Sequence, residues 1–206
     1  DIRFRMFGDE ARIMPLIARR KRLREITEIV HTDNAISSDM TVSVAIRKGR
    51  QSSMQLAIDA VRDGDAEGIV SAGNTGALMA MAKLSLRTLP GIHRPAIAAI
   101  FPSIRGESVM LDLGANVECS AENLVQFALM GDVFARTVLG NVNPTCGLLN
   151  VGSEEMKGHA EIQQAAAYLR QMSGTFNFHG FVEGDDIAAG TTDVVVSDGF
   201  SGNIAL

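Results

Sequence analysis

Four apolar segments of this chain run straight into loops of glycine and small polar residues. These loops are Ser71-Ala72-Gly73-Asn74-Thr75-Gly76, Asp112-Leu113-Gly114-Ala115-Asn116, Asn150-Val151-Gly152-Ser153 and Asp198-Gly199-Phe200-Ser201-Gly202-Asn203. A strand that ends in such a turn and is followed by a dozen helix-forming residues must cross over before the next strand begins. That connection builds a largely parallel sheet covered by helices on both faces, so the pattern predicts an α/β fold.

The rest of the chain agrees with that alternation. Ile2, Phe4 and Met6 alternate with polar residues and lead into Gly8-Asp9-Glu10, which predicts a strand followed by a helix capped by Asp9. Met54, Ala57, Ile58 and Val61 recur at helical spacing, and Asp63-Gly64 supplies a stop. Further strands are expected over residues 68–72, 96–101, 109–113, 146–151, 176–182 and 194–197. Helices are expected over residues 75–86, along Leu124, Phe127, Gly131, Phe134 and Val138 facing inward, and through Ile162, Ala166 and Leu169. No internal repeat or low-complexity linker interrupts them, so residues 1–206 read as a single α/β catalytic domain.

Composition narrows the function. Apolar residues make up 46% of the 206, enough to bury a sizeable core. The formal charge of -5 offers nucleic acid no global attraction. Cys119 and Cys146 have neither CxxC spacing nor histidine partners, so neither a disulfide framework nor a zinc site is expected, and a reducing cytoplasm is the default location. The apolar run at residues 96–101 falls far short of the roughly 18 residues that a membrane-spanning helix needs. The start at Asp1 without methionine and the stop at Leu206 lead us to expect a fragment.

In open α/β sheets, ligands bind at the carboxyl ends of strands, so the four loops are expected to converge on one cleft. Glycine lets the backbone approach a ligand closely, and amides at a following helix start favour an anion such as phosphate. The required spacings of GxGxxG and GxxxxGK[ST] are absent, and Gly199-Phe200-Ser201-Gly202 is not a GxSxG elbow. Lys157, after the third loop, brings an ammonium to the expected cleft mouth, where it can neutralise an anion or a developing charge. His31, His93, His159 and His179 have no metal-ligand spacing. Two basic stretches remain. Arg19-Arg20-Lys21-Arg22 with Arg24 reads first as a solvated helix end, with an acidic partner or anionic lipid as the alternative. Arg47, Lys48 and Arg50 precede Ser52-Ser53 and suit a phosphate, an acidic partner or a simple capped loop.

Taken in order, Arg47-Lys48 with Ser52-Ser53-Met54, residues 71–78, residues 112–116, Glu122-Asn123-Leu124-Val125-Gln126, residues 147–152, Lys157-Gly158 and residues 198–203 resemble the bacterial phosphate acyltransferase (PlsX) family from about Thr32 to the end. The resemblance implies a three-layer α/β/α fold with a largely parallel sheet, similar to isocitrate and isopropylmalate dehydrogenases. It implies an enzyme that moves a fatty acyl group from acyl carrier protein to inorganic phosphate, giving acyl phosphate for phospholipid synthesis, without cofactor or metal. A cytoplasmic homodimer is implied as well, with possible peripheral contact at the inner face of the membrane.

By the same resemblance, Lys157, Asn203 and Asp198 are the expected catalytic residues. Gly73, Asn74, Thr75, Gly76, Asp112, Asn116, Gly199, Ser201 and Gly202 are expected to bind phosphate or substrate, and Arg47, Lys48 and Arg50 to dock the carrier protein. The family's Asp-Ala-Met-Gly-Gly-Asp strand segment at the amino end and its helices after Asn203 are missing from these residues, and Met40-Thr41-Val42 replaces a proline-containing turn. Two alternatives stand beside this reading: a phosphate acetyl- or butyryltransferase acting on acyl-CoA, and a non-catalytic anion-binding scaffold.

Overall fold

The computed structural model describes residues 2–206, and Asp1 lies outside the described residues. The chain forms two compact units, one ending at Pro90 and one running from Gly91 to Leu206.

In the amino-terminal unit, β1 (Phe4–Gly8) lies parallel to β2 (Thr27–His31), with Phe4 opposite Thr27 and Gly8 opposite His31. The crossover between them contains α1 (Glu10–Ile17) and α2 (Lys21–Glu25). Asp9 caps α1 as expected, its carboxylate accepting from the Ala11 amide at 2.9 Å. The basic run occupies the exposed turn after α1, at Arg19 and Arg20, and the exposed surface of α2, in keeping with a solvated helix end. Next come α3 (Val42–Lys48), a 3-10 turn (Gly49–Gln51), α4 (Ser53–Arg62) and α5 (Thr75–Leu86). Met54 and Ile58, one turn apart on α4, pack with Ala45, Ala77 and Met81 to form this unit's core.

Residues 68–72 do not form the expected strand. Their apolar character is right, but a strand exists only where a neighbour pairs with its amides and carbonyls. Among the described residues no ladder reaches this stretch, and Val70 is fully exposed.

The carboxy-terminal unit is built on β3 (Ala98–Ser103), β4 (Gly106–Leu111), β5 (Cys146–Leu149), β6 (Phe178–Val182) and β7 (Val194–Val196), in the order β3-β4-β7-β5-β6. The ladders β4-β7, β7-β5 and β5-β6 are parallel. β3 departs from the parallel expectation. The turn at Ile104-Arg105 is too short for a crossover, so β3 returns as an antiparallel hairpin partner of β4. Pro102 is tolerated there because β3 is an edge strand.

Side chains alternate across the central strands as period 2 requires. Val109, Leu111, Val194 and Val196 face α6 (Ala121–Phe134) and α7 (Ala160–Gln171). Met110 and Val195 face the other way, with Ile187 of α8 (Gly184–Ala189) and Ala205 of α9 (Gly199–Ala205). The unit is thus a three-layer α/β/α sandwich around a mostly parallel sheet. Gly131 lets α6 approach the sheet closely, since a side chain there would run into Val194 and Leu111. Val138, expected to face inward, is exposed at 56%. After Phe134 the helix widens into a π turn over Ala135–Leu139, which rotates the face so that Ala135 and Leu139 pack on the core instead.

Candidate functional site

Parallel pairing sends the carboxyl ends of β4, β7, β5 and β6 to one edge of the sheet. The loops after β4, β7 and β5 are three of the four glycine-bearing loops singled out above. Eight of the expected residues therefore share this edge of the carboxy-terminal unit: Asp112, Asn116, Lys157, Asp198, Gly199, Ser201, Gly202 and Asn203. Gly73, Asn74, Thr75, Gly76, Arg47, Lys48 and Arg50 belong to the amino-terminal unit.

The loops after β4 and β7 are interlocked. The Gly199 amide donates to the Asn116 carbonyl at 2.7 Å, and the Asn203 Nδ2 donates to the Leu113 carbonyl at 3.3 Å. A Cβ on Gly199 would stand 2.7 Å from the Asn116 oxygen, and one on Gly202 would strike the Asp112 carbonyl. Both glycines are therefore required by close backbone approach. Asp198 caps α9. One carboxylate oxygen accepts from the Ser201 amide at 2.7 Å, and the other lies 3.2 Å from the Ser201 hydroxyl. Asn203 remains exposed beside Gly114, whose φ of +123° only glycine adopts freely.

Lys157 sits on the exposed loop after β5. Among the described residues no carboxylate lies within ion-pair distance of its ammonium. The loop beneath it is firmly held. Asn150 Nδ2 donates to the Lys157 carbonyl at 3.1 Å, Gln163 Nε2 donates to the Met156 carbonyl at 3.0 Å, and Gly158 at φ +88° leaves room for the Asn150 side chain. The Ser153 amide donates to Glu183 Oε1 at 3.2 Å, tying this loop to the end of β6. Asn150, Gln163 and Glu183 have structural roles here that the sequence does not announce, because each acts on a backbone group several residues or a whole strand away.

Cys119 lies half-buried against the same edge, its thiol 3.6 Å from the Asn116 carbonyl. Burial pushes the thiol up to about 11, and the nearby carboxylates of Asp112 and Asp198 act in the same direction. Such a thiol is a poor nucleophile at neutral pH.

In the amino-terminal unit, Asn74 caps α5 by accepting from the Ala77 amide at 3.0 Å. Its Nδ2 faces the carbonyls of Met40, Ser38 and Ser37 at 2.9, 3.2 and 3.4 Å. Both ends of this amide are thus engaged in holding the loop, while Gly73, Thr75 and Gly76 stay exposed. Arg47, Lys48 and Arg50 are exposed at the end of α3 and on the 3-10 turn, and among the described residues no carboxylate lies within ion-pair distance of them. Asp9, His31 and Asp33 gather within 4.8 Å at the carboxyl ends of β1 and β2, a cluster that parallel pairing creates. His31 Nδ1 accepts from the Glu10 amide at 3.2 Å, and its Nε2 lies 3.3 Å from Asp33 Oδ1.

No helix among the described residues is long and apolar enough to cross a membrane. The fold is shared with solved phosphotransacetylases. It superposes on one from Streptococcus pyogenes with a TM-score of 0.64 at 16% identity, covering 98% of this chain and 79% of that one. The EutD phosphotransacetylase of Staphylococcus aureus gives 0.61 at 15%, covering 98% and 80%. Sequence likeness is much stronger. A phosphate acyltransferase of Rhodospirillum centenum is 66% identical over 97% of this chain, and one of Rhodospirillum rubrum is 59% identical over all of it. The chain spans 56% and 59% of those two proteins' own lengths. With residues 1–206 all matching the family described as fatty acid synthesis protein, and with the ordered motifs from Arg47 to Asn203 in place, this chain belongs to that family of phosphate acyltransferases.

Proposed function

We propose that the full-length protein transfers a fatty acyl group from acyl carrier protein to inorganic phosphate, releasing acyl phosphate for phospholipid synthesis. The observation that carries this reading is the 66% identity, across 97% of the chain, to a phosphate acyltransferase. In the reaction, a phosphate oxygen attacks the thioester carbonyl, an acyl-oxygen bond forms, the carbon-sulfur bond breaks, and the carrier leaves as its thiol after taking up a proton. No group of the chain has to form a covalent intermediate, so holding the two reactants together supplies much of the rate.

Each residue takes the part that its surroundings allow. Lys157, whose ammonium has no ion-pair partner among the described residues, orients phosphate and stabilises the oxyanion. Asn203 and Asp198 complete the polar edge, with Ser201, Gly199 and Gly202 shaping its backbone. In the amino-terminal unit taken by itself, Gly73, Thr75 and Gly76 are the exposed phosphate- or substrate-binding residues of this reading, and Asn74 holds their loop in shape. Arg47, Lys48 and Arg50 meet the acidic surface of the carrier, and reversing their charge raises the KM for the carrier while leaving that for phosphate alone. The working form in this reading is a cytoplasmic homodimer with peripheral membrane contact and no metal or cofactor.

The test mixes the full-length protein with palmitoyl carrier protein or palmitoyl-CoA and inorganic phosphate, and traps acyl phosphate with hydroxylamine. Carrier-dependent product is expected. Product from the CoA thioester alone transfers the assignment to an acetyl- or butyryltransferase type of enzyme, and product from neither leaves an anion-binding scaffold. Lys157→Ala should lower turnover at saturating phosphate by about 100-fold, the scale of removing one transition-state donor. Unchanged turnover removes Lys157 from its role.

A further inference from the structure

Asp112 is the one charged residue of the site with no exposure at all, and its carboxylate is already fully occupied. One oxygen accepts from the Ile97 amide at 2.8 Å and the Ala115 amide at 3.1 Å. The other accepts from the Asn116 amide at 2.7 Å and from Asn116 Nδ2 at 2.8 Å. A carboxylate offers about four lone-pair directions, and here four neutral donors fill them. Among the described residues no cation pairs with it. An anionic substrate finds no donor on this group and no opening to reach it.

We propose that Asp112 is a positioning residue, which through the 112–116 loop sets the place of the Asn203 amide in the phosphate site. This inference rests on the reading of the site given above. The chain of contacts is continuous. Asp112 fixes the amides of Ala115 and Asn116, and the loop so formed presents the Leu113 carbonyl to Asn203 Nδ2 at 3.3 Å. Its Gly114 leaves open the space that the Asn203 amide enters, where a Cβ would stand 3.1 Å from Nδ2. The Asn116 carbonyl receives the Gly199 amide, and the Ser197 hydroxyl donates to the Asp112 carbonyl at 3.2 Å, so the main chain of α9 is referenced to the same loop. Asn116 Nδ2 also donates to the Pro95 carbonyl at 2.8 Å, which anchors the loop from its other side.

Asp112→Asn keeps the shape and replaces one acceptor oxygen by a donor that faces existing donors. The experiment titrates inorganic phosphate into the full-length protein by calorimetry and, in parallel, measures KM for phosphate and for the acyl carrier. The expected result is phosphate binding at least tenfold weaker, with the carrier KM changed less than twofold. In an Asn203→Ala background, Asp112→Asn should cost little further, because both changes act through one group. A loss of turnover with both KM values and the phosphate affinity unchanged would overturn the proposal as a mere loss of folded protein. Additive losses in the double variant would overturn it in favour of direct substrate contact. If Asp112→Asn does not fold, Asn116→Ala, which removes one of the four donors, decides by the same split. Wild-type protein that binds phosphate yet transfers no acyl group refutes the proposed activity while the titration still judges Asp112, and wild-type protein that binds no phosphate overturns both.

Discussion

The loops that follow Val70 and Leu111 look alike in sequence, each a short glycine-bearing turn with one Asn or Asp at its centre of hydrogen bonding, yet they are built in opposite ways. In the amino-terminal unit, Asn74 reaches out to carbonyls of residues 37–40 and leaves its glycines exposed. In the carboxy-terminal unit, Asp112 is sealed in and gathers the amides of its own loop. The difference begins one step earlier in the chain. Leu111 ends β4, which is hydrogen-bonded on both sides, whereas residues 68–72 join no ladder among the described residues. A glycine and Asx signature specifies a turn, and the strand before it decides whether that turn is buried.

The largest expected effect tests this contrast at glycine. A Cβ at Gly202 strikes the Asp112 backbone, which cannot swing away, so Gly202→Ala should cost about 3 kcal/mol. A Cβ at Gly73 meets only the tips of two side chains, Met54 Cε at 3.2 Å and Ser71 Oγ at 3.4 Å, and Gly73→Ala should fall within about 0.5 kcal/mol. Denaturant unfolding of both variants gives the comparison, and equal losses would break it.

Next in size is the pair of helix caps. Ser120 and Asn123 form a reciprocal capping box at α6, and Ser120→Ala should cost about 1 kcal/mol. Asn74→Ala removes a cap and also strips the Met40, Ser38 and Ser37 carbonyls of their shared donor, so it should cost about 2 kcal/mol. A smaller loss at Asn74 than at Ser120 would mean that water replaces the amide at those carbonyls.

The same contrast explains what the sequence discloses. Helix α5 is legible to the residue because Asn74 announces its start, and β7 because Val194, Val195 and Val196 have no other economical place than a central strand. The antiparallel turn of β3 was not legible, since a period of 2 carries no direction. Val138 was misplaced because a π turn leaves no mark in an apolar spacing. At the site, loops and their glycines were readable from local chemistry. That Asn150 and Gln163 hold the Lys157 loop, and that Asp112 faces inward, depends on groups brought together by the sheet, which no local window contains.

The smallest effect uses the two thiols. Both cysteines lie in the carboxy-terminal unit, so thiol chemistry reports on that unit alone. Cys146 is enclosed in the core, where burial pushes its thiol far up, and it should stay unreactive until the unit unfolds. Cys119 has its thiol raised to about 11 from the ordinary 9.0, chiefly by burial and then by Asp112. The neutral thiol is therefore the form that the fold favours. Its contribution to stability is complete below pH 9.0 and is lost as pH rises towards 11, because the unfolded chain gives up this proton first. Alkylation by iodoacetamide at pH 7.5 should be much slower than for a free thiol of ordinary acidity, and should accelerate towards pH 11 in step with ionisation. Rapid modification of Cys119 at neutral pH would show that the loop after β4 opens far more often than its buried hydrogen bonds imply. It would erase the distinction between the two glycine loops at its most sensitive point.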